Sequence, residues 1–280
     1  MAADAAVLVP VLMPVLVPVA DGLAQTARAL GSHALALFLA LLLLLPAAGL
    51  GGRRLLRTGS AAGGRAGGRL DTRIGIAAAA LGMAVFATLA TLLLTGDGLR
   101  AADQAFAVAL RASVPPAVLP YFAAVTHLAD TATLTVLCTT LALLMAACRQ
   151  PALALGWVLA VAGNGVLNRS LKALFGRARP LGQDAAWAEV GFSFPSGHSS
   201  GAVVACGMLA YTVFWLLPAR WHAAALASAL ALAWSVGASR VFLGVHFASD
   251  VIAGFASGAV WLLLCIGGLA LWRAWRDRPA

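Results

Sequence analysis

The chain has 280 residues, of which 62% are hydrophobic and only 10% charged. A soluble domain carries about 25% charged residues, so a water-soluble globule is excluded, and the apolar richness excludes a disordered chain. The net charge of +9 comes from 18 Arg and a single Lys, mostly in short gaps between apolar runs; that is the pattern of membrane-protein loops, not the basic stripe of a nucleic-acid binder.

Residues 7–20 are apolar, but Pro10, Pro14 and Pro18 recur every fourth residue and disfavour a regular helix. No basic segment precedes them, so a secretory leader fits poorly and the segment stays unassigned. A helix needs about 20 apolar residues to cross a bilayer. Runs of that kind predict spans at 34–50, 74–96, within 121–148, and at 151–168, 199–219, 223–239 and 251–272. His127 and Asp130 interrupt the third. Between the first two, residues 51–73 are rich in Gly and Arg and read as a flexible basic loop. Short Arg-rich loops stay in the cytoplasm. That rule places 96–120, 169–198 and 240–246 outside, and Arg149, Arg220 and the tail with Arg273, Arg276 and Arg278 inside. Cys138, Cys148, Cys206 and Cys265 lie in or beside apolar runs without metal-ligand spacing, as small buried apolar residues do.

Three predicted external patches carry chemistry, because polar residues at membrane ends are costly and usually functional. The first runs from Lys172 to Arg179 and Pro180. Asn164, Asn168 and Lys172 are spaced to share one helix face. A lone Lys in a chain that otherwise uses Arg suggests a position needing a compact point charge. The second is Phe194, Pro195, Ser196, Gly197 and His198, a helix-starting turn that offers backbone N–H groups to an anion. The third is Ser239 and Arg240 followed by His246 and Asp250. At i, i+4 the carboxylate can hold one ring nitrogen and leave the other free as a nucleophile. Three cations suit the oxygens of a phosphoryl group in transfer. Two histidines suit a nucleophile and a general acid working through a phosphohistidine. No carboxylate cluster is present to hold magnesium, so the expected chemistry needs neither a metal nor another cofactor.

The ordered set Lys172-x6-Arg179-Pro180, Pro195-Ser196-Gly197-His198 and Ser239-Arg240-x5-His246-x3-Asp250 resembles the three-part signature of the type 2 phosphatidic acid phosphatase (PAP2) superfamily. The resemblance covers about residues 74–275. It implies an all-α polytopic membrane bundle with a six-helix catalytic core at 74–275, preceded by an extension, 1–73, that adds at least one transmembrane helix. It implies that His246 attacks phosphorus, Asp250 orients it, and His198 protonates the leaving oxygen and then activates water. Lys172, Arg179, Arg240, Ser196 and the Gly197 backbone N–H would bind the phosphate. Membrane members of the family dephosphorylate lipid phosphates and isoprenoid pyrophosphates. Its soluble relatives include vanadium haloperoxidases.

The expected function is a multi-pass, metal-independent lipid phosphatase of a bacterial inner membrane, with its site facing outward. Its partners are a lipid phosphate, of the phosphatidate, phosphatidylglycerophosphate, lipid A phosphate or undecaprenyl pyrophosphate class, and membrane lipid; nucleic acid is not among them. The alternative is a transporter or flippase that binds lipid-phosphate headgroups without hydrolysis; it calls for a polar path at the bilayer midplane. A vanadate-dependent oxidase is disfavoured by seven apolar spans. His127 and Asp130 read as a polar pair within the bundle, His33 and His222 as helix-end residues, and Trp187, Phe192 and Phe194 as an interfacial aromatic belt. Asp184 and Glu189 read as loop charges without a required role.

Overall fold

A computed structural model describes residues 21–58, 72–180 and 189–276. The readings for residues 7–20, for Arg65, Arg69 and Arg278, and for Asp184 and Trp187 lie outside them. Residues 21–32 form α1. Then follow α2 (Ala34–Thr58), α3 (Thr72–Thr95), α4 (Gly98–Ser113), α5 (Leu119–Thr126), α6 (Thr131–Ala147), α7 (Pro151–Phe175), α8 (Gly197–Leu216), α9 (His222–Phe242) and α10 (Ala248–Arg276). The described residues contain helices and no strand. Among the described residues, six helices are long and apolar enough to cross a bilayer: α2 through Gly52, α3, α7, α8, α9 with its preceding turn, and α10. The fold is therefore the expected all-α membrane bundle with an additional N-terminal helix.

The third predicted span differs. Helix α5 ends in a 3-10 turn at His127–Ala129, and α6 begins only at Thr131. Asp130 between them is extended (φ −60°, ψ 148°), which ends one helix and starts the next. The expected outer loop 96–120 is mostly helical. Its polar residues hid α4 from a search for apolar runs, and α4 buries Asp103 and Leu110. Helix α4 and the Pro116–Ala129 segment meet at a bend of 98°. The basic loop also begins later than expected, because α2 continues to Thr58.

Helix α8 packs against α9 and α10, α10 against α3, α2 against α9, and α6 against α7. On the α2 side, Phe122 stacks on Phe242 and Phe38 meets both rings edge-on, and Trp234 Nε1 donates to the Phe38 carbonyl at 3.1 Å. Helices in lipid associate through close packing, which small residues permit. A Cβ on Gly254 would lie 2.5 Å from the Ser196 carbonyl oxygen. That approach lets the Ser196 N–H donate to the Asp250 carbonyl at 2.9 Å. The starts of α8 and α10 are thereby clamped together, as are the two sequence patches they carry.

Overpacking a tight contact costs roughly 1–3 kcal/mol. Gly254→Ala is therefore expected to lower the thermal unfolding midpoint in detergent. Gly267→Ala, where a Cβ meets nothing within 4 Å, should leave the midpoint unchanged or slightly raised. Circular dichroism melts of the two variants compare them; equal midpoints would contradict the close approach.

Candidate active site

Four helix ends converge: the C-termini of α7 and α9 and the N-termini of α8 and α10. Helix α7 stops at Gly176, whose φ of +57° is left-handed and whose N–H donates to the Lys172 carbonyl at 3.0 Å. Glycine takes this conformation at no steric cost. The chain beyond it carries Arg177 and Arg179 inward.

Arg177 is buried between two carboxylates. It donates to Asp250 Oδ1 at 2.6 Å, to Asp103 Oδ2 at 2.7 Å and to Ser249 Oγ at 2.8 Å. Ser249 closes the group on Asp103 through its backbone N–H at 3.1 Å and through its hydroxyl. Planar guanidinium suits two carboxylates at once. Asp250 Oδ2 accepts from the Phe247 N–H at 2.9 Å and from Ser193 Oγ at 2.5 Å.

His246 lies in the link before α10, so His246 and Asp250 straddle the helix start and do not share a helix as the spacing predicted. His246 Nδ1 is 3.4 Å from Asp250 Oδ2 and 3.2 Å from Ser193 Oγ. Its Nε2 is 3.1 Å from Arg179 Nη1. An arginine only donates, so Nε2 is the acceptor and Nδ1 carries the proton. The Nδ1–H donates to Ser193, and Ser193 donates to Asp250. The expected dyad is thus bridged by a serine. Burial pushes the His246 imidazole down to about 4, with the Arg179 and Arg240 charges acting the same way against the pull of Asp250. At neutral pH the imidazole is uncharged, with its Nε2 lone pair on the site side.

That side is lined by cations around one carboxylate, that of Glu189. Arg179 Nη2 meets Glu189 Oε2 at 2.9 Å, and Arg240 Nη2 donates to Oε1. His198 Nδ1 lies 3.9 Å from Oε1. Burial alone would raise the Glu189 carboxyl, but Arg240 foremost, then His198 and Arg179, hold it below the usual carboxylate range. The loop charge without an expected role therefore occupies the centre of the cation cluster. Its signal in the sequence was its singularity: Glu189 is the only Glu.

His198 turns its other nitrogen away. Nε2 is 2.8 Å from Asp130 Oδ1, and Asp130 Oδ2 is 2.7 Å from His127 Nδ1. The His127–Asp130 pair thus reaches the site, contrary to its reading as bundle packing. Lys172 Nζ donates to the Phe192 carbonyl at 2.5 Å and not to the Glu189 carboxylate. Ser196 is fully buried, and its hydroxyl caps α8 by accepting from the Ser199 N–H at 3.4 Å and from Ser199 Oγ at 2.9 Å. Gly197 follows as the first residue of α8, close against Asn168. Phe194 is not an interfacial residue: it is fully buried between Phe86 and Phe175, whereas Phe192 is exposed. His222 is a helix-end residue as expected, its Nε2 3.0 Å from the Leu217 carbonyl.

With this geometry in hand, the sequence profile of the PAP2 superfamily matches residues 151–273. Over 104 residues the chain is 38% identical to phosphatidylglycerophosphatase B of Bacillus subtilis, which covers 36% of this chain and 51% of that protein. It is 39% identical over 112 residues to lipid A 1-phosphatase of Rhizobium johnstonii, covering 36% of this chain and 41% of that protein. The chain spans about half the length of the curated relatives it matches. The crystal structure of a transmembrane PAP2-type phosphatidylglycerolphosphate phosphatase from Bacillus subtilis superposes with a TM-score of 0.63 at 28% identity, over 73% of this chain and 98% of that one. Every signature residue from Lys172 to Asp250 falls inside the matched segment. Asp103, His127 and Asp130 precede it, which is why a signature search passes them by.

Two measurements test this geometry. Nitrogen NMR of histidine-labelled protein, with His246 assigned by its loss in His246→Ala, should show a neutral ring from about pH 8 down to about pH 5. Protonation near neutral pH would contradict the burial argument. Removing one partner from a buried ion pair costs about 3–5 kcal/mol, an exposed pair about 0–1. Arg177→Leu should therefore lower the unfolding midpoint well beyond Arg100→Leu, which breaks only the exposed contact with Asp97; equal effects would show that the Arg177 pairs are not integral.

Proposed function

We propose that the protein is an integral membrane lipid phosphatase that works without a metal through a phosphohistidine on His246. The observation that carries this reading is the convergence of Arg179, Arg240 and His198 on a single carboxylate beside the unprotonated Nε2 of a neutral His246. A site that holds a carboxylate between two guanidinium groups offers a phosphoryl group matching charge and donors.

His246 Nε2 attacks phosphorus, and the bond from phosphorus to the lipid oxygen breaks. His198 gives its Nδ1 proton to that oxygen, and the lipid alcohol, or the shortened lipid phosphate, leaves. The Nδ1 of His198 then takes a proton from water as the water oxygen attacks phosphorus. The phosphorus–nitrogen bond breaks, and inorganic phosphate departs. Ser193 and Asp250 hold the His246 Nδ1–H, which stabilises the positive charge that develops on the ring. Arg179 and Arg240 stabilise the equatorial oxygens, where charge accumulates. Lys172 joins them by releasing the Phe192 carbonyl. The Gly197 N–H at the start of α8 adds a donor, and Ser196 contributes by holding that turn.

The substrate class is a lipid with a terminal phosphate. Relatives named for phosphatidylglycerophosphate and for the 1-phosphate of lipid A support a monoester on a lipid anchor; an isoprenoid pyrophosphate offers the same leaving chemistry. The arginines of the far end, including Arg149, Arg220 and Arg273, support an outward-facing site in a bacterial inner membrane.

The test is phosphate release by purified protein in EDTA, beside His246→Ala, from phosphatidate, phosphatidylglycerophosphate, undecaprenyl pyrophosphate and lipid A phosphate. Release by the wild type alone is expected, with His246→Ala down by at least about 10³-fold. Activity that returns only with magnesium would overturn the metal-free mechanism. Equal rates in the variant would remove His246 as the nucleophile, and no release from any of the four would favour headgroup binding without hydrolysis.

A further inference from the structure

Asp130 stands at the N-cap position of α6, where an Asp normally accepts from its own helix's first backbone N–H groups. Here its side chain makes no cap bond. Both oxygens are turned to histidines: Oδ1 to His198 Nε2 at 2.8 Å and Oδ2 to His127 Nδ1 at 2.7 Å. The capping residue has thus given up the interaction its position favours. The side chains also grade outward. His198 is 17% exposed, Asp130 38% and His127 62%. The charged groups facing His198 are Asp130 from the start of α6, Glu189 from the loop before α8 and Arg240 from the end of α9. Only Asp130 lies within hydrogen-bond distance. Burial alone would raise the Asp130 carboxyl, but His127 and His198 hold it below its ordinary value, so it is ionised at neutral pH.

We propose that Asp130 is a positioning residue for the acid–base histidine, holding Nε2 of His198 so that Nδ1 is the nitrogen that gives and takes the proton at the phosphoryl site. This rests on the phosphatase reading above. With Nε2–H donating to Asp130, the uncharged ring has its lone pair on Nδ1, which faces the Glu189 position between the two arginines. The carboxylate also stabilises the imidazolium that must exist before the leaving oxygen can be protonated. His127 orients Asp130 from its other side. Each histidine of the site then has its own carboxylate: Asp250, through Ser193, for the nucleophile, and Asp130 for the acid.

The consequence is a dependence on the leaving group. An alkyl alcohol must be protonated as it departs, whereas a nitrophenolate leaves without a proton. In Asp130→Asn, kcat on a lipid monoalkyl phosphate should fall on the order of 100-fold, within what general acid–base catalysis supplies. KM should stay within about threefold. With an alkyl-tailed nitrophenyl phosphate, the first turnover should survive as a burst of about one nitrophenolate per enzyme. Steady turnover should stay slow, because water attack still needs the base. The alkaline limb of kcat should move to lower pH, since removing a nearby carboxylate disfavours the imidazolium. Asp130→Ser keeps N-cap chemistry for α6 and should show the same pattern, which separates the role from folding. His127→Gln should show a smaller loss of the same kind. Equal losses in the first turnover of both substrates would make Asp130 a structural residue and overturn the proposal, as would wild-type rates in both Asp130 variants. A wild type silent on both substrates would instead sink the phosphatase reading itself.

Discussion

The guanidinium of Arg177 sits almost without solvent between Asp103 and Asp250, whose side chains are 5% and 0% exposed. A buried charge is tolerated only when paired and fully hydrogen-bonded, so these three groups fix one another. Through them α4, the exit from α7 and the start of α10 are joined. Asp250 also accepts from Ser193 and from the Phe247 N–H, and its backbone carbonyl holds the Ser196 N–H at the head of α8. The position of His246 follows from this network: its Nδ1 has one acceptor in reach through Ser193, and its Nε2 is left toward Arg179.

The two histidines differ through their surroundings. His246 is sealed in and pressed by two arginines, so the neutral ring is favoured, as a nucleophile needs. His198 is largely buried at the site's edge, directly bonded to one carboxylate and close to another. The two rings thus differ in the partners that hold them, and the bond made by one ring nitrogen fixes the role left to the other. The Glu189 carboxylate between Arg179 and Arg240 gives the cluster a balance of charge: four ionisable partners meet at one end of an apolar bundle, and none is left facing only its own sign.

Membrane class and six of the spans were legible because they depend on short-range properties, the length of apolar runs and the placement of Arg. The eight expected site residues could be singled out in the sequence because their spacing is a local pattern, and the structure brings the helix ends that carry them together. What escaped depends on distance in sequence. Asp103 meets Arg177 across 74 positions and Asp130 meets His198 across 68, and no periodicity links such pairs. Ser193 gave no motif of its own, and Glu189 drew notice only as a solitary acid. Helix α4 and the break at Asp130 were hidden because polar residues that look like loop composition were being used inside the fold.

Composition alone determined that the chain lives in a bilayer, since 10% charged residues cannot cover a water-facing globule. The order of His, Arg and Lys along the chain pointed to the helix ends where the candidate site residues gather. Only the tertiary structure decided which partners hold the rings of His246 and His198, and which carboxylate stands beside each. It also decided that Lys172 rests on a backbone carbonyl. Those choices are settled by hydrogen bonds of about 3 Å between helices far apart in sequence, and a donor's partner is set by what packing brings within reach.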